Sequence, residues 1–249
     1  GNIAIVNFPK GYKAKDKKKF ADKIIKDNKA IKTVLEKKGK IKGRLRKLTT
    51  RYIVGEKTKE VLYRENGCVF RFNIDSTYFS PRLSNERKEI ASKIKKGNDV
   101  LVMFAGVAPF SIVIAKHSGA RVVSNEINRE ANKYAKLNIE LNNLKNRVEL
   151  VPGDIKKVIK KFGRGKFDVI VMPRPQLKDT FLKEAFKLSK KGTKIFYYDF
   201  AKVGDEKLIV EKIKKEAKQS RKQIRVLKVK KAGEIAPYKI RVRVDLIII

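Results

Sequence analysis

The chain has 249 residues, 42% of them hydrophobic, which is enough for one large or two small packed domains. Its 63 Lys and Arg against 26 Asp and Glu give a formal net charge of +37, which indicates a polyanionic partner, with nucleic acid the first choice. A hyperthermophile surface explains this charge less well, because such surfaces pair Lys with Glu and the acids here are too few.

One cysteine, Cys68, and one histidine, His117, limit the chemistry further. They exclude an internal disulfide, make a zinc site improbable and leave no partners for a hydrolytic triad, so we expect no bound metal. No apolar run reaches the length of a membrane span, and no signal-like start is present. We therefore expect a cytoplasmic monomer with no membrane partner.

Residues 1–85 are predicted to form a small, basic α+β domain that binds RNA and contributes to the active site. A strand over residues 1–6 precedes a Lys-rich stretch with helical spacing of apolar residues, which predicts one amphipathic helix. From Ile41 to Asn73 short β segments follow, and Asn66-Gly67 is a strong hairpin signal. The apolar positions assigned to the helix are Phe20, Ile24, Ile25, Ile31, Val34 and Leu35.

Residues 86–249 are predicted to form a Rossmann-type α/β domain. Ser84 is a plausible N-cap for its first helix, after which strands and helices alternate. Continuous apolar strands in repeated βα units predict a parallel sheet with helices on both faces, completed to seven strands by a terminal antiparallel pair. The predicted strands are 99–104, 121–126, 148–151, 167–172, 193–198, 224–230 and 240–249, and the helices between them end near 117, 142, 162, 188 and 218.

Three strand ends carry residues suited to a nucleoside cofactor. Gly106 follows the first strand at the start of a helix, but the three-glycine fingerprint of a dinucleotide site is missing. Glu126 ends the second strand, from which an acid can hold two ribose hydroxyls. Asp154, after the third strand, can accept from an adenine amino group or cap the next helix. Together they predict an S-adenosylmethionine pocket at a topological switch point.

The fourth strand is followed by Met172-Pro173-Arg174-Pro175, at the edge where the methyl acceptor should lie. Two prolines make this loop stiff. We expect it to face the acceptor base.

Several segments together resemble the archaeal and eukaryal tRNA (guanine37-N1)-methyltransferases, over nearly the whole chain. The most specific is Phe-Ser-Pro-Arg-Leu-Ser-x-Glu-Arg at 79–87. The resemblance implies methyl transfer from S-adenosylmethionine to the anticodon stem-loop of tRNA. The other matching segments are 44–46, 55–56, 64–68 and 104–110.

The resemblance also assigns roles. Guanine N1 carries a proton at neutral pH, so its methylation needs a base and a cation for the charge that spreads onto O6. Glu86 matches the family's base, although an acid in the first turn of a helix is also common for reasons of the dipole. Arg46 matches the arginine that contacts O6, with Arg44 and Arg51 as competitors.

The remaining site residues follow from the same motifs. Arg82, Arg87, Pro173 and Arg174 are expected to bind the substrate or support the site. The residues expected to bind the cofactor are Phe104, Ala105, Gly106, Val107, Pro109, Phe110, Glu126, Ile127, Asp154, Ile155 and Met172.

The chain departs from the family pattern in places. It is expected to lack the usual N-terminal domain, and Met172 stands where an Asn would offer an amide. The altered loop resembles an archaeal branch that also methylates C7 of the wyosine precursor, an activity that the sequence leaves open. Two alternatives also stay open: transfer of the aminocarboxypropyl group of the same cofactor, and a non-catalytic RNA-binding protein on a decayed methyltransferase fold.

Overall fold

The computed structural model describes residues 1–39, 43, 45, 47–163, 166–174 and 177–249. Its N-terminal part contains a three-stranded sheet in which β1 is parallel and β3 antiparallel to the central β2. Helix α1 connects the two parallel strands. The elements are β1 (Ile3–Val6), α1 (Ala14–Asp27), β2 (Thr33–Lys37) and β3 (Thr50–Gly55).

The prediction of one long helix here is wrong in its second half. Helix α1 ends at Asp27, and Val34 and Leu35 lie in β2, where both are fully buried. The β-branched pair Thr33-Val34 favours a strand, and pairing with β1 and β3 on both sides outweighs the helical spacing of the apolar residues.

The predicted hairpin is confirmed. Strands β4 (Glu60–Glu65) and β5 (Cys68–Asn73) pair antiparallel around Asn66-Gly67, and both turn residues have positive φ, as a two-residue hairpin turn requires.

Helix α2 (Ser84–Ser92) opens the second region. Ser84 is its first residue rather than its N-cap; its hydroxyl instead accepts from the Asn66 side chain. The elements that follow are β6 (Asp99–Met103), α3 (Pro109–Ser118), β7 (Arg121–Glu126), α4 (Arg129–Leu141), β8 (Val148–Pro152), α5 (Ile155–Val158), β9 (Phe167–Met172), α6 (Leu182–Leu188), β10 (Ser189–Lys202), α7 (Glu206–Gln219), β11 (Ile224–Ala236) and β12 (Lys239–Ile248).

The seven-stranded sheet has the order β11-β12-β10-β9-β6-β7-β8. Strands β6 to β10 are parallel, and β12 is antiparallel to both β10 and β11. The expected Rossmann-type α/β sheet with its terminal antiparallel pair is therefore confirmed. The chain order reverses between β6 and β9, and this switch point places the carboxyl ends of β6, β7, β8 and β9 around one crevice.

The hairpin is joined to the large sheet's helices through asparagines. Asn138 and Asn142 of α4 each exchange two hydrogen bonds with the backbone of β5, at Arg71 and Val69, with lengths of 2.7–3.0 Å. Phe70 and Phe72 belong to the same apolar core as α3. The division at residues 85 and 86 stays a prediction, since this hairpin shares its core with the second region. None of the described helices is both long and apolar enough to cross a bilayer.

Candidate active site

The turn after β6 is shaped by backbone conformation. Phe104, Gly106 and Ala108 all have φ between 58° and 66°, and Pro109 then begins α3. A Cβ on Gly106 would lie 3.3 Å from the carbonyl oxygen of Tyr78, so glycine permits this close approach. The turn therefore presents backbone rather than side chain to the crevice.

Glu126 is brought to this turn, as the spacing predicts. Its Oε2 accepts from the Gly106 N–H at 2.8 Å, and its Oε1 accepts from the Asn128 N–H at 2.7 Å. Because each carboxylate oxygen has two lone pairs, the same oxygens retain capacity for hydroxyl donors. Glu126 thus fixes the turn and still presents an acceptor edge.

Asp154 follows β8 and caps α5, accepting from the Lys156 N–H at 3.0 Å. The Asn125 side chain donates to the carbonyls of Val151 and Gly153, at 2.8 and 3.1 Å. These bonds tie the β8 turn to the β7 end, so Asp154 and Glu126 lie on one pocket.

The residues that line the pocket at the switch point fall into two groups along the chain, which we name after the roles expected of them. The cofactor end is lined by Phe104, Gly106, Asn125, Glu126, Ile127, Asn128, Ala131, Gly153, Asp154 and Ile155. The acceptor end is lined by Leu45, Tyr78, Leu83, Pro173, Arg174, Leu177, Tyr198, Phe200 and Arg241. Every residue of the cofactor end lies within 104–155, whereas the acceptor end gathers residues from 45 to 241.

Five of the residues expected to touch the cofactor are buried and are not among those that line the pocket. In this turn Phe104 and Gly106 face the crevice, while their neighbours face the core beneath it. Phe110 packs edge-to-face on Tyr198, with ring centroids 6.0 Å apart. The five are Ala105, Val107, Pro109, Phe110 and Met172, all buried.

Glu86, the expected base, also lies one layer behind the wall. Its Oε2 accepts from Tyr198 Oη at 2.8 Å and from Arg243 Nη1 at 2.6 Å, and its Oε1 accepts from Lys230 Nζ at 2.9 Å. It is 5% exposed and does not line the pocket, but Tyr198 does. Among the described residues that line the pocket, Tyr198 is therefore the one that bonds Glu86.

The cations around Glu86 have further acidic partners, and we call the six charged residues the Glu86 cluster. Arg243 also bonds Glu89 and Asp245, at 2.5 and 2.6 Å, and Lys230 also bonds Glu89. Although burial alone would lower the pKa of Arg243, its bonds to Glu89 and Asp245 raise it. The members are Glu86, Glu89, Lys93, Lys230, Arg243 and Asp245.

A second cluster lies on the opposite face of β10. Asp199 accepts from Tyr197 Oη at 3.0 Å, from Arg174 Nη1 at 2.6 Å and from Lys212 Nζ at 3.0 Å. Arg174 is 3% exposed, and within the described part of the chain its Nε has no partner. It lines the acceptor end, as expected of a residue of the β9 loop.

Of the two arginines in the 79–87 motif, only Arg82 is exposed. Arg87 is 1% exposed, forms an ion pair with Glu65 and lies over the Phe79 ring, 5.1 Å from its centroid. These contacts with Glu65 and Phe79 fit the expected role of Arg87 in supporting the site.

Arg46, the expected O6 contact, and Arg44 lie outside the described residues. Leu45, between them, lines the acceptor end. The third candidate, Arg51, is engaged in the three-stranded sheet, where it bonds Glu36 at 2.8 Å.

Sequence reasoning missed Tyr78, Tyr198, Phe200 and Arg241. Tyr198 and Phe200 lie where β10 reaches the carboxyl edge, so the strand-end rule used for the other strands would have found them. Arg241 comes from the antiparallel β12 and stacks on Phe200, 5.5 Å from its ring centroid, a placement that depends on strand register. Within the described ranges no group of His, Cys, Asp and Glu is arranged to hold a metal ion.

Comparison with known proteins agrees with this geometry. Residues 61–229 match the TRM5/TYW2 methyltransferase domain. The tRNA (guanine(37)-N(1))/4-demethylwyosine(37)-methyltransferase Taw22 of Nanoarchaeum equitans is 32% identical, over 100% of this chain and 98% of that protein. The tRNA (guanine(37)-N(1))-methyltransferase Trm5b of Pyrococcus abyssi is 37% identical over 82% of this chain, which covers 60% of that relative.

A solved complex of aTrm5 with tRNALeu superposes on the whole chain with a TM-score of 0.86, at 27% identity, and this chain covers 70% of that protein. The domain match and the full-length relative both place the chain in one family. The chain belongs to the TRM5/TYW2 family of S-adenosylmethionine-dependent methyltransferases.

Proposed function

We propose that the protein transfers the methyl group of S-adenosylmethionine to N1 of guanosine 37 in the anticodon loop of tRNA. The observation that carries the proposal is the pocket at the switch point, which Glu126 and Asp154 line together with Arg174 and Arg241. Taw22 and Trm5b, which are named for this reaction, and the solved complex of aTrm5 with tRNALeu support the choice of substrate.

The cofactor end fits S-adenosylmethionine by its chemistry. Glu126 offers carboxylate oxygens for the two ribose hydroxyls, and Asp154 is placed to accept from the adenine amino group. The Gly106 turn brings backbone close to the ligand without the glycine pattern of a pyrophosphate site. When bound, the cofactor would supply an electrophilic methyl group.

At the acceptor end the chain has to remove the N1 proton and stabilise charge on O6. Glu86 is the proposed final acceptor of that proton, and Arg46 remains the proposed partner of O6. Pro173 and Arg174 form part of the wall against which the base would lie. Arg82 is exposed beside this end and is available to phosphates.

A second activity, methylation of C7 in 4-demethylwyosine at the same position, is our second candidate. One observation favours it: the relative matched over 98% of its length is named for both reactions. C7 methylation removes a proton from carbon rather than from N1, so the two reactions should depend differently on Glu86.

Nucleoside mass analysis tests these proposals. The protein is incubated with S-adenosylmethionine and either unmodified tRNA or tRNA carrying 4-demethylwyosine, and the products are digested and weighed. N1-methylguanosine from the first substrate supports the main proposal, and a methylated tricyclic base from the second supports the other. A product whose added mass is that of an aminocarboxypropyl group would contradict both methylation proposals. The absence of saturable binding of S-adenosylmethionine in calorimetry would indicate a non-catalytic RNA-binding protein.

The cellular compartment, the oligomeric state and the surface that binds tRNA are also proposals. We place the enzyme in the cytoplasm as a monomer, with tRNA held by the basic surface that the charge of +37 provides.

A further inference from the structure

A hydrogen bond joins Glu86 to one residue of the pocket wall. Tyr198 lines the acceptor end, is fully buried and donates its hydroxyl proton to Glu86 Oε2 at 2.8 Å. Glu86 itself is not on the pocket wall. Among the described residues of the pocket wall, Tyr198 is therefore the one that connects Glu86 to the acceptor end.

We propose that Tyr198 relays the N1 proton of guanosine 37 to Glu86, a step that rests on the proposed function. The guanine N1–H bond breaks and its proton joins Tyr198 Oη, while the hydroxyl proton of Tyr198 passes to Glu86 Oε2. The electron pair left on N1 attacks the methyl carbon of S-adenosylmethionine. The carbon–sulfur bond breaks with its electron pair remaining on sulfur, which leaves S-adenosylhomocysteine.

The tyrosine is oriented for this role. Because a carboxylate only accepts hydrogen bonds, the hydroxyl proton of Tyr198 is directed to Glu86, and its oxygen has lone pairs for another donor. Burial raises the pKa of Tyr198 well above its ordinary value, and the Glu86 charge raises it further. Tyr198 therefore stays neutral at rest and takes up one proton only as it gives up another.

The charges of the Glu86 cluster lower the electrostatic cost of transferring a proton to Glu86. It contains three acids and three bases, so it is neutral overall while Glu86 is a carboxylate. When Glu86 is protonated, Arg243 keeps Glu89 and Asp245 as partners, and Lys230 keeps Glu89. The cluster then carries a net positive charge beside the guanine, just as the guanine becomes anionic.

Tyr197 provides a matched control on the same strand. Its hydroxyl bonds the carboxylate of Asp199, which is also held by an arginine and a lysine, and it is equally buried. It lies on the opposite face of β10 and does not line the pocket. Loss of either hydroxyl removes one buried hydrogen bond, but of the two tyrosines only Tyr198 lines the pocket and bonds Glu86.

The experiment measures single-turnover methylation of unmodified tRNA with saturating S-adenosylmethionine. Tyr198→Phe should lower the chemical rate by about a hundredfold or more, the size expected for losing a general base, whereas Tyr197→Phe should stay within about threefold. Glu86→Gln should match Tyr198→Phe, and the double variant should lose no more than either single one. Calorimetry with S-adenosylmethionine and the melting temperature establish that each variant is folded.

The pH dependence separates relay from structural support. In Tyr198→Phe the N1 proton must leave to hydroxide, so its rate should rise about tenfold per pH unit between pH 7 and 9, faster than that of wild type. The groups facing Glu86 are Tyr198 of β10, Lys230 of β11, Arg243 of β12 and, across Arg243 and Lys230, Glu89 of the same helix. A structural defect would lower the rate by the same factor at every pH.

The relay is overturned if Tyr198→Phe keeps near wild-type rates while Glu86→Gln does not, since Glu86 would then take the proton directly. A pH-independent loss in Tyr198→Phe overturns it too. If the wild-type protein forms no N1-methylguanosine at all, the proposed function fails together with the relay, and this result is distinct from the other two.

Discussion

The seven-stranded sheet and the three-stranded sheet differ in what fills the space between strands and helices. Strand β6, near the centre of the large sheet, is buried and apolar from Val100 to Met103. In the small sheet the central β2 instead carries a buried Glu36, which bonds Lys17 at 2.8 Å and pairs with Lys38 and Arg51. The part of the large sheet around β6 is thus stabilised by apolar burial, whereas the central strand of the small sheet depends partly on charges, which respond to pH, salt and an anionic partner.

The junction between the two regions offers the sharpest test. Arg87 and Glu65 form a buried ion pair between α2 and β4, so Arg87→Met should leave Glu65 buried without its cation. We expect the free energy of unfolding to fall by about 3–5 kcal/mol, measured by urea denaturation. Replacing both partners, with Glu65→Leu added, should recover most of that loss. A single-variant loss below about 1 kcal/mol would show that apolar contacts hold the junction by themselves.

In the large sheet, we expect binding of S-adenosylmethionine to depend strongly on Glu126, at the carboxyl end of β7. Glu126→Ala removes two hydrogen bonds to the turns as well as the proposed ribose contact. The dissociation constant for S-adenosylmethionine should rise by about 10- to 100-fold by calorimetry, while tRNA affinity stays within about twofold. Glu130→Ala, at an exposed ion pair of the neighbouring α4, is the matched control and should change neither. Equal losses of cofactor and tRNA binding would assign Glu126 a purely structural role.

The front region should contribute most of the salt dependence of tRNA binding. Lys15 and Lys19 lie exposed on α1, and replacing both with Ser should reduce the slope of log K against log salt by about 1.5. The same change at Lys214 and Lys215, exposed on α7, removes equal charge from the large domain. Slopes from binding titrations at several salt concentrations decide the question. Equal reductions by both pairs would mean that tRNA covers both regions alike.

The smallest expected effect is a pH dependence confined to the front sheet. The hydrogen bond from Lys17, against the opposing effect of burial, lowers the pKa of Glu36 from 4.5 to about 2. A carboxyl whose pKa is lowered by folding stabilises the fold fully above pH 4.5 and loses that contribution as pH falls toward 2. As the pH falls from 4.5 toward 2, the melting temperature of the wild-type protein should therefore fall toward that of Glu36→Gln. Glu56→Gln, at an exposed position, should run parallel to wild type throughout.

The contrast between the two sheets also explains which parts of the fold can be predicted from the sequence. Strands 121–126 and 167–172 have the predicted bounds, because continuous apolar runs between turn signals identify buried parallel strands. The cofactor end was predictable, since Gly106, Glu126 and Asp154 each follow a strand. In the front region, by contrast, the spacing of Ile31, Val34 and Leu35 favoured a helix, and only sheet pairing reveals β2.

The hydrogen-bond partners of Glu86 could not be predicted from the local sequence pattern. Its partners Tyr198, Lys230 and Arg243 lie 112, 144 and 157 positions away along the chain. The motif at 79–87 identifies Glu86 as important, but whether it faces the pocket depends on the register of β10, β11 and β12. The acceptor end could be assembled only from that register, which no single segment encodes.

The adjacent tyrosines of β10 also bear on how this strand finds its place during folding. Side chains alternate between faces, so a slip of one residue against β9 would exchange Tyr197 and Tyr198 and bury rings of equal size on both sides. Apolar burial alone would hardly distinguish the two alignments. The slipped strand would, however, displace Asp199 from Arg174 and direct neither hydroxyl to its carboxylate. The two buried polar clusters therefore select the correct alignment of a strand whose apolar pattern is nearly symmetric.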